Sequence, residues 1–433
     1  MIKKIYIILF LSVLINNNSY AITLSKALQE AYINNPVLNA ERENIQVSKE
    51  DLNISRSEFL PSVTLSGSKS QESTKKLTDR SGTNSTIIDV DPESQSVVIE
   101  QKIFQGFAGL ADVEKSKIGL NLAEAKLLKA EQDILYKAVE AYSGLIFANE
   151  KLNINQNNIN LLERQVETDQ ARLERGQITL SDLAQSESSL AGAQAKFLQA
   201  KNDTVTAKLT YEKIIGPIID IDSLEKKSDL SFIIPTDINK AIKISKTTNP
   251  NLIISKLEYA QSEKDIIIAR SDLSPSASLS FNSSKSDDVS SSIGESDKEI
   301  LKATISWPIF NGGKNTSSLN KSKNLRNKKK LLLENAFKTN DTNVASAWSS
   351  LQVSKSLLNS VAAQVRAAEI ANEGITVEYE SGLGRSTLDV IQSNSILLSS
   401  KIAFADSERN YLLSQFKLLQ SIGLLNNNYL KIH

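Results

Sequence analysis

The chain contains one long pattern twice. Residues 23–66 and 237–280 align without a gap, so that Asn35-Pro36 recurs as Asn249-Pro250, Arg56-Ser57 as Arg270-Ser271 and Pro61-Ser62 as Pro275-Ser276, each 214 positions on. Self-similarity over this length restricts the fold to two copies of one unit that must bury their faces against each other or against further copies. The chain accordingly divides into a first repeat at 22–216, a connector at 217–236 and a second repeat at 237–433.

Inside each repeat the hydrophobic period changes in the same order. A short helical segment ends at Asn-Pro, where the pre-proline residue disfavours the helical region and the proline suits the first turn of the next helix. After Pro61 and Pro275 the period drops to two, with Val63 and Leu65, or Ala277, Leu279 and Phe281, alternating with Ser and Thr. Strands are expected at about 61–67, 96–104, 275–282 and 300–310, joined by polar segments 68–96 and 282–299 that read as exposed loops. Ile103-Phe104 matches Ile309-Phe310 with an offset of 206, so the first loop is the longer by eight residues.

Long helices are then expected at about 107–175 and 179–215, and again at 313–381 and 386–423. The longer two would run roughly 100 Å at 1.5 Å per residue, beyond the usual globular helix. Ala138, Ala141, Leu145, Ala148, Leu152, Ile159, Leu162, Val166 and Leu173 fall at alternating spacings of three and four, a heptad seam broken by Asn155 and Asp169. Val344, Ala347, Leu351, Leu358, Val361, Val365 and Ala368 repeat it. Periodicity alone fits a soluble bundle and a coiled-coil wall equally. Each helix pair is interrupted at a glycine, Gly176 within LERGQITLSDLAQ and Gly382 within YESGLGRSTLDVIQ.

Only 8 Pro and 16 Gly punctuate 433 residues, which agrees with few turns. Cysteine is absent and the single histidine is His433, so thiolate and imidazole metal sites, cysteine nucleophiles and Ser-His-Asp triads are not available, and no cofactor is expected. Asp220 and Asp222 lack the ligand count of a calcium loop and read as a solvated turn. Fifty basic residues balance fifty acidic ones, without the positive excess of a nucleic-acid surface. Residues 1–21 carry Lys3 and Lys4, an apolar run and Ser19-Tyr20-Ala21, a secretory leader; with no cysteine beyond it, a lipid-anchored N-terminus is not expected.

No later stretch is apolar enough for a membrane helix, so insertion would have to use the strands. Leu279, Leu301, Ile305 and Trp307 mark the expected lipid-facing side. Four strands leave two open edges, which lipid does not tolerate, and about eight strands are the minimum for a membrane barrel. If these strands are membranous the chain must therefore associate, since two copies give eight strands and a filled interior and three give twelve and a lumen; the alternative is two soluble hairpins packed on the helices, with Leu301, Ile305 and Trp307 on one outward face against it.

The Asn35-Pro36 entry with LPSVTLS, the segment WPIFNGGK at 307–314, the break at 379–392 and RNYLLSQFKLLQSIGLLN at 409–426 together resemble the TolC family of outer membrane channels across the mature chain. The resemblance implies a mainly helical protein with membrane strands, a homotrimer with a twelve-stranded barrel in outer membrane lipid and a twelve-helix tunnel through the periplasm. It implies passive export for efflux or type I secretion, with a periplasmic adaptor and an inner-membrane transporter as partners. It further implies a latch at the periplasmic tip, with Ser181 and Asp182 on the acceptor side, Tyr379 and Arg385 on the donor side, a constriction at Asp389 and Gln392, and adaptor contacts at Gly176, Gly382 and Gly384. Gly382 to Asp389 is one residue longer than Gly176 to Asp182, with Gly384 as the extra glycine, and Gln392 stands where the family has a second acid. A periplasmic adaptor or coiled-coil scaffold is the alternative, though it would lack paired apolar strands; an enzyme would need a convergent set of titratable groups that the sequence does not offer.

Overall fold

A computed structural model describes residues 22–76, 78, 80–82, 89–290 and 292–431. The leader expected at 1–21, and His433, lie outside the described residues. The first repeat comprises α1 (Leu24–Asn34), α2 (Pro36–Ser57), β1 (Ser62–Lys69), β2 (Glu93–Gln105), α3 (Ala108–Glu174) and α4 (Leu180–Ile214). The second comprises α5 (Ile238–Thr248), α6 (Pro250–Ser271), β3 (Ser276–Ser290), β4 (Ile293–Ser306), α7 (Lys314–Glu380) and α8 (Thr387–Ile422), followed by the short α9 (Asn427–Leu430). Corresponding helices have matching lengths: 11 residues for α1 and α5, 22 for α2 and α6, 67 for α3 and α7.

The repeated Asn-Pro does two jobs at once. Asn35 is extended (φ −68°, ψ 121°), its side-chain oxygen accepts from Val37 N, and Pro36 opens α2 where no N–H is needed. Its Nδ2 donates to the Ile214 carbonyl at 3.1 Å, near the end of α4. Asn249 repeats this with Asn251 N and the Ser421 carbonyl at 2.7 Å. Each repeat is thereby stapled, start to finish, by one buried amide.

The strands form one antiparallel sheet in the order β1-β2-β3-β4, so the two repeats meet at β2 and β3. Directly opposed residues share a face. Val63 lies across from Ile99, Ile99 from Phe281 and Phe281 from Leu301; Leu279 lies across from Ala303 and Ala277 from Ile305. The row Val63-Ile99-Phe281-Leu301 is apolar from edge to edge, with Gln101, Ser283 and Glu299 on the same face beside it. The opposite face carries Ser62, Thr64, Glu100, Ser280, Lys302 and Thr304. The expected loop at 282–299 is instead mostly strand, because β3 continues to Ser290 and β4 begins at Ile293, with Ser290 opposite Ile293. Its side chains are too polar to signal a strand, yet the backbone ladder needs no apolar face once it is paired on both sides. β1 and β4 keep unpaired outer edges.

Below the sheet the helices make a wall one layer thick. In its upper part α2 packs on α3, α3 on α6 and α6 on α7; lower down, α4, α3, α8 and α7 continue it. The principal core lies at mid-height, where α1, α5, the connector and the C-terminal segment clasp one side of α3 and α8, burying Leu28, Leu135, Tyr142, Phe416 and Leu419. Tyr142 Oη donates toward the Ile22 and Glu225 carbonyls, each at 2.7 Å. Lys226 of the connector bridges Glu150 of α3 (2.9 Å) and Glu408 of α8 (2.5 Å). A much smaller apolar cluster, Ile159, Leu162 and Ala193, serves the lower half. No helix among the described residues is long and apolar enough to cross a membrane.

Gly423 ends α8 at φ 82°, and a Cβ there would collide with the Thr248 carbonyl. Gly423→Ala should therefore cost about 2–4 kcal/mol in a denaturation series. Gly192, mid-helix in α4 with open space around its Cα, is the control; Gly192→Ala should stabilise by about 0.5–1 kcal/mol.

Candidate functional site at the helical tips

Both helical hairpins turn by the same local chemistry. α3 ends at Gly176 (φ 70°), with Gly176 N and Gln177 N donating back to Leu173 O and Arg172 O; α7 ends at Gly382 (φ 74°), with Gly382 N and Leu383 N donating to Tyr379 O and Glu378 O. These left-handed exits return the last carbonyls to hydrogen bonding, which glycine does without strain. Gly384 adds a second left-handed position (φ 82°) in the α7–α8 turn, and none of the three glycines has a neighbour where a Cβ would stand.

The returning helices then open on reciprocal caps. Asp182 N donates to Thr179 Oγ1, while Thr179 N and Oγ1 both donate to Asp182 Oδ2 at 2.9 and 2.8 Å. Ser386 and Asp389 repeat the arrangement at 2.9 Å for both bonds to the carboxylate. The backbone bond from the cap residue, then its hydroxyl, holds each carboxyl below its ordinary value. Both acids are thus engaged locally. Arg385 Nε pairs with Glu378 Oε2 at 2.6 Å across its own turn, and this partner, by hydrogen bond and charge, raises the guanidinium's affinity for its proton. Ser181 and Gln392 are exposed.

The contact between hairpins is made one turn higher, by a residue that the heptad pattern records only as an interruption. Asp169 is fully buried. Its Oδ1 accepts from Tyr379 Oη at 2.5 Å and its Oδ2 from Ser186 Oγ at 2.5 Å, while Gln165 Nε2 lies 3.0 Å from both oxygens. Tyr379 Oη also lies 3.0 Å from Thr387 Oγ1 of α8. Arg172 covers the assembly, its guanidinium 4.2 Å from the centre of the Tyr379 ring and its Nη1 donating to the Tyr379 carbonyl. Three helices, α3, α4 and α7, therefore bring three side-chain donors to one carboxylate, and α8 joins them through Tyr379. Tyr379 does cross between the hairpins, but to Asp169 and not to Asp182. Asp169, Gln165, Arg172, Ser186, Thr387 and Glu378 are absent from the sequence-based set; the one available signal was an acid at a seam position, where burial without partners is prohibitive.

The sheet, with an apolar row on one face and hydroxyls on the other, is thus continuous with a one-layer wall of 67-residue helices that ends in polar-bonded hairpin tips. The outer membrane efflux protein family matches residues 27–217 and 241–424, one segment per repeat, and the chain belongs to that family. It is 25% identical over 402 residues to the outer membrane efflux protein BepC of Brucella suis, covering 93% of this chain and 85% of that protein. It is 22% identical to the outer membrane protein TolC of Escherichia coli, over 94% of this chain and 83% of the relative. Among solved structures, the CmeC outer membrane channel of Campylobacter jejuni superposes with a TM-score of 0.78 at 18% identity, covering 92% of this chain and 85% of that one.

Burial, then the bond to Asp169, raises the Tyr379 pKa above its ordinary value. A raised folded-state value means that the phenol's contribution is complete below the unfolded tyrosine pKa of about 10 and is lost as pH climbs past it. Hydrogen exchange around 376–392 should accelerate above about pH 10 in the native chain. In Tyr379→Phe the tip should be weaker by about 1–3 kcal/mol at neutral pH, with that alkaline step gone.

Proposed function

We propose that three copies of this chain close into a passive export duct, a twelve-stranded barrel in outer membrane lipid above a twelve-helix periplasmic tunnel, serving multidrug efflux or type I protein secretion. The observation that carries the closure is that both layers end on the same two sides. β1 follows α2 and β4 precedes α7, so each subunit is an open sector with edges β1/α2 and β4/α7. Open strand edges in lipid demand a partner. Leu279, Leu301 and Ile305 lie on the apolar face that would meet lipid, and Trp307, just past β4, ties its Nε1 to the Leu273 carbonyl at 3.1 Å at the rim.

The tips close the duct. Asp169 and Tyr379 hold the two hairpins of one subunit together, while Ser181, Asp182, Arg385 and Asp389 stand at the turns, where a neighbouring subunit would meet them. Asp389 and Gln392 line the constriction. Gly176, Gly382 and Gly384 present bare backbone to a periplasmic adaptor, which with an inner-membrane transporter supplies the energy that a duct lacks. No catalytic group is required.

The test is conductance of the full chain, purified in detergent, in planar bilayers. The native protein should form mostly closed channels. Asp169→Asn, which removes the charge and mismatches one donor, should shift the open/closed equilibrium by about tenfold or more, as expected for loss of a charged buried hydrogen bond of about 1.5–3 kcal/mol. A protein that never conducts would overturn the duct. Normal channels with an open probability unchanged by Asp169→Asn would overturn only the latch.

A further inference from the structure

At mid-height the wall holds a cation that nothing in the chain answers. Arg409 of α8 reaches across α3 at Gly144, where a Cβ would stand 3.9 Å from both its Nε and its Nη2. The Nε is enclosed without a hydrogen-bond partner, and the guanidinium makes no ion pair among the described residues. A planar fork of donors taken out of water without acceptors is costly, so its position is explained by an acceptor brought from outside the chain.

Two cavities meet at this side chain. The larger, of about 450 Å³, is lined by the α3 stripe Lys137, Ala141, Gly144 and Ala148 and by Thr206 and Ile214 of α4. Gly144 and Tyr142 stand on nearly opposite faces of α3 at about 3.6 residues per turn, and Tyr142 is the residue bonded to the connector. The larger cavity therefore lies on the side away from the clasp. In the duct proposed above this is the inner surface of the tunnel, since a clasp on that side would fill it. The smaller cavity, of about 290 Å³, shares Phe147 and Arg409 with the first and adds Ile146, Leu358 and Leu412.

The charges in the larger cavity do not cancel. Lys151 and Asp203 pair with each other at 2.9 Å, and Asp203 also accepts from Gln199 at 2.9 Å. That leaves Arg409 and Lys137 against the one carboxylate of Glu140, and none of these three forms an ion pair among the described residues. In the smaller cavity the two carboxylates, Glu150 and Glu408, are both held by Lys226. Positive charge is thus free only where the apolar lining begins.

We propose that Arg409, Lys137 and Phe147 form a binding site for organic anions. The ligand's acid group, a carboxylate, sulfonate or phosphate, lies on the Arg409 fork, and its apolar body lies against Phe147 and the aliphatic lining. Two parallel N–H···O bonds suit such a group, and the concave apolar surround suits the body. Gly144 keeps the guanidinium reachable, because a larger side chain there would stand against it. The site is complete within one chain; only its place inside the tunnel rests on the function proposed above.

Isothermal titration of the detergent-purified full chain with naphthalene-2-sulfonate at neutral pH, against a matched micelle blank, should show saturable binding. The uncharged naphthalene-2-sulfonamide and inorganic sulfate should each bind about tenfold or more weakly. Arg409→Gln should lower the sulfonate affinity by about tenfold or more and leave the sulfonamide unchanged, while Arg409→Lys, which keeps the charge and loses the fork, should fall between. Gly144→Leu separates a lost site from a lost fold: it should keep the native elution volume and helical signal and lose the sulfonate. Sulfonate and sulfonamide binding alike, sulfate binding as tightly as the sulfonate, or an affinity untouched by Arg409→Gln overturns the site. In planar bilayers, in the Asp169→Asn background, the sulfonate should lower conductance, and adding Arg409→Gln should abolish that block. Channels that bind the sulfonate without block overturn its place in the tunnel, whereas a chain that binds it and never conducts overturns the duct and leaves the site standing.

Discussion

A strand edge in lipid cannot be left unpaired, because no water is present to take its N–H and C=O groups. In the duct proposed above, β1 and β4 of each copy would present two such edges, on a four-stranded sheet too narrow to bend round and join them. Every other part of the architecture is compatible with that constraint. The helical wall breaks at the same two sides as the sheet, and the apolar residues it leaves uncovered there, Val47 and Leu325 among them, are those that another copy would cover.

At the tips the same economy produces a division of labour between acids. Asp182 and Asp389 each satisfy the first turn of a returning helix, a role their spacing from Thr179 and Ser386 dictates. A carboxylate so engaged has one oxygen free for a neighbour, and it loses its cap as pH falls through its depressed pKa. Asp169 has no such local role. It sits at an apolar seam position, so the only way to bury it is to bring donors from the facing helices, and those donors, Ser186 and Tyr379, define how the hairpins meet.

Much of this was legible in the chain because it follows from local rules that repeat. The gapless match across Asn35-Pro36 and Asn249-Pro250, the switch of period at Pro61 and Pro275, and the uninterrupted helical stretches each have a single physical reading. The fold class and the family follow from them. What the pattern concealed was the pairing of individual polar groups. Residues 282–299 look like a loop since their side chains bury nothing, although their backbone is laddered into β3 and β4. Asp169 looks like a defect in a heptad, although donors from α3, α4 and α7 converge on it. Arg385 is drawn to Glu378 by the reach of one turn, a partner seven residues away that helical spacing does not announce.

The distribution of burial along the wall explains why a latch of polar bonds suits this end of it. At mid-height the helices are clasped by α1, α5 and the connector, and separation there would expose a large aromatic and aliphatic core. Toward the tips the apolar cluster shrinks to a few side chains around Ile159, Leu162 and Ala193. Apolar burial is lost gradually as surfaces part, whereas a buried hydrogen bond weakens steeply with distance and angle. A tip held mainly by Asp169, Tyr379, Ser186 and Arg172 is therefore either closed or released, with little energy spread between. A wall held by its equatorial core stays whole while that happens. If the tips are the latch proposed above, they could part without loosening the middle, and a partner would need only to compete for a handful of donors around one carboxylate.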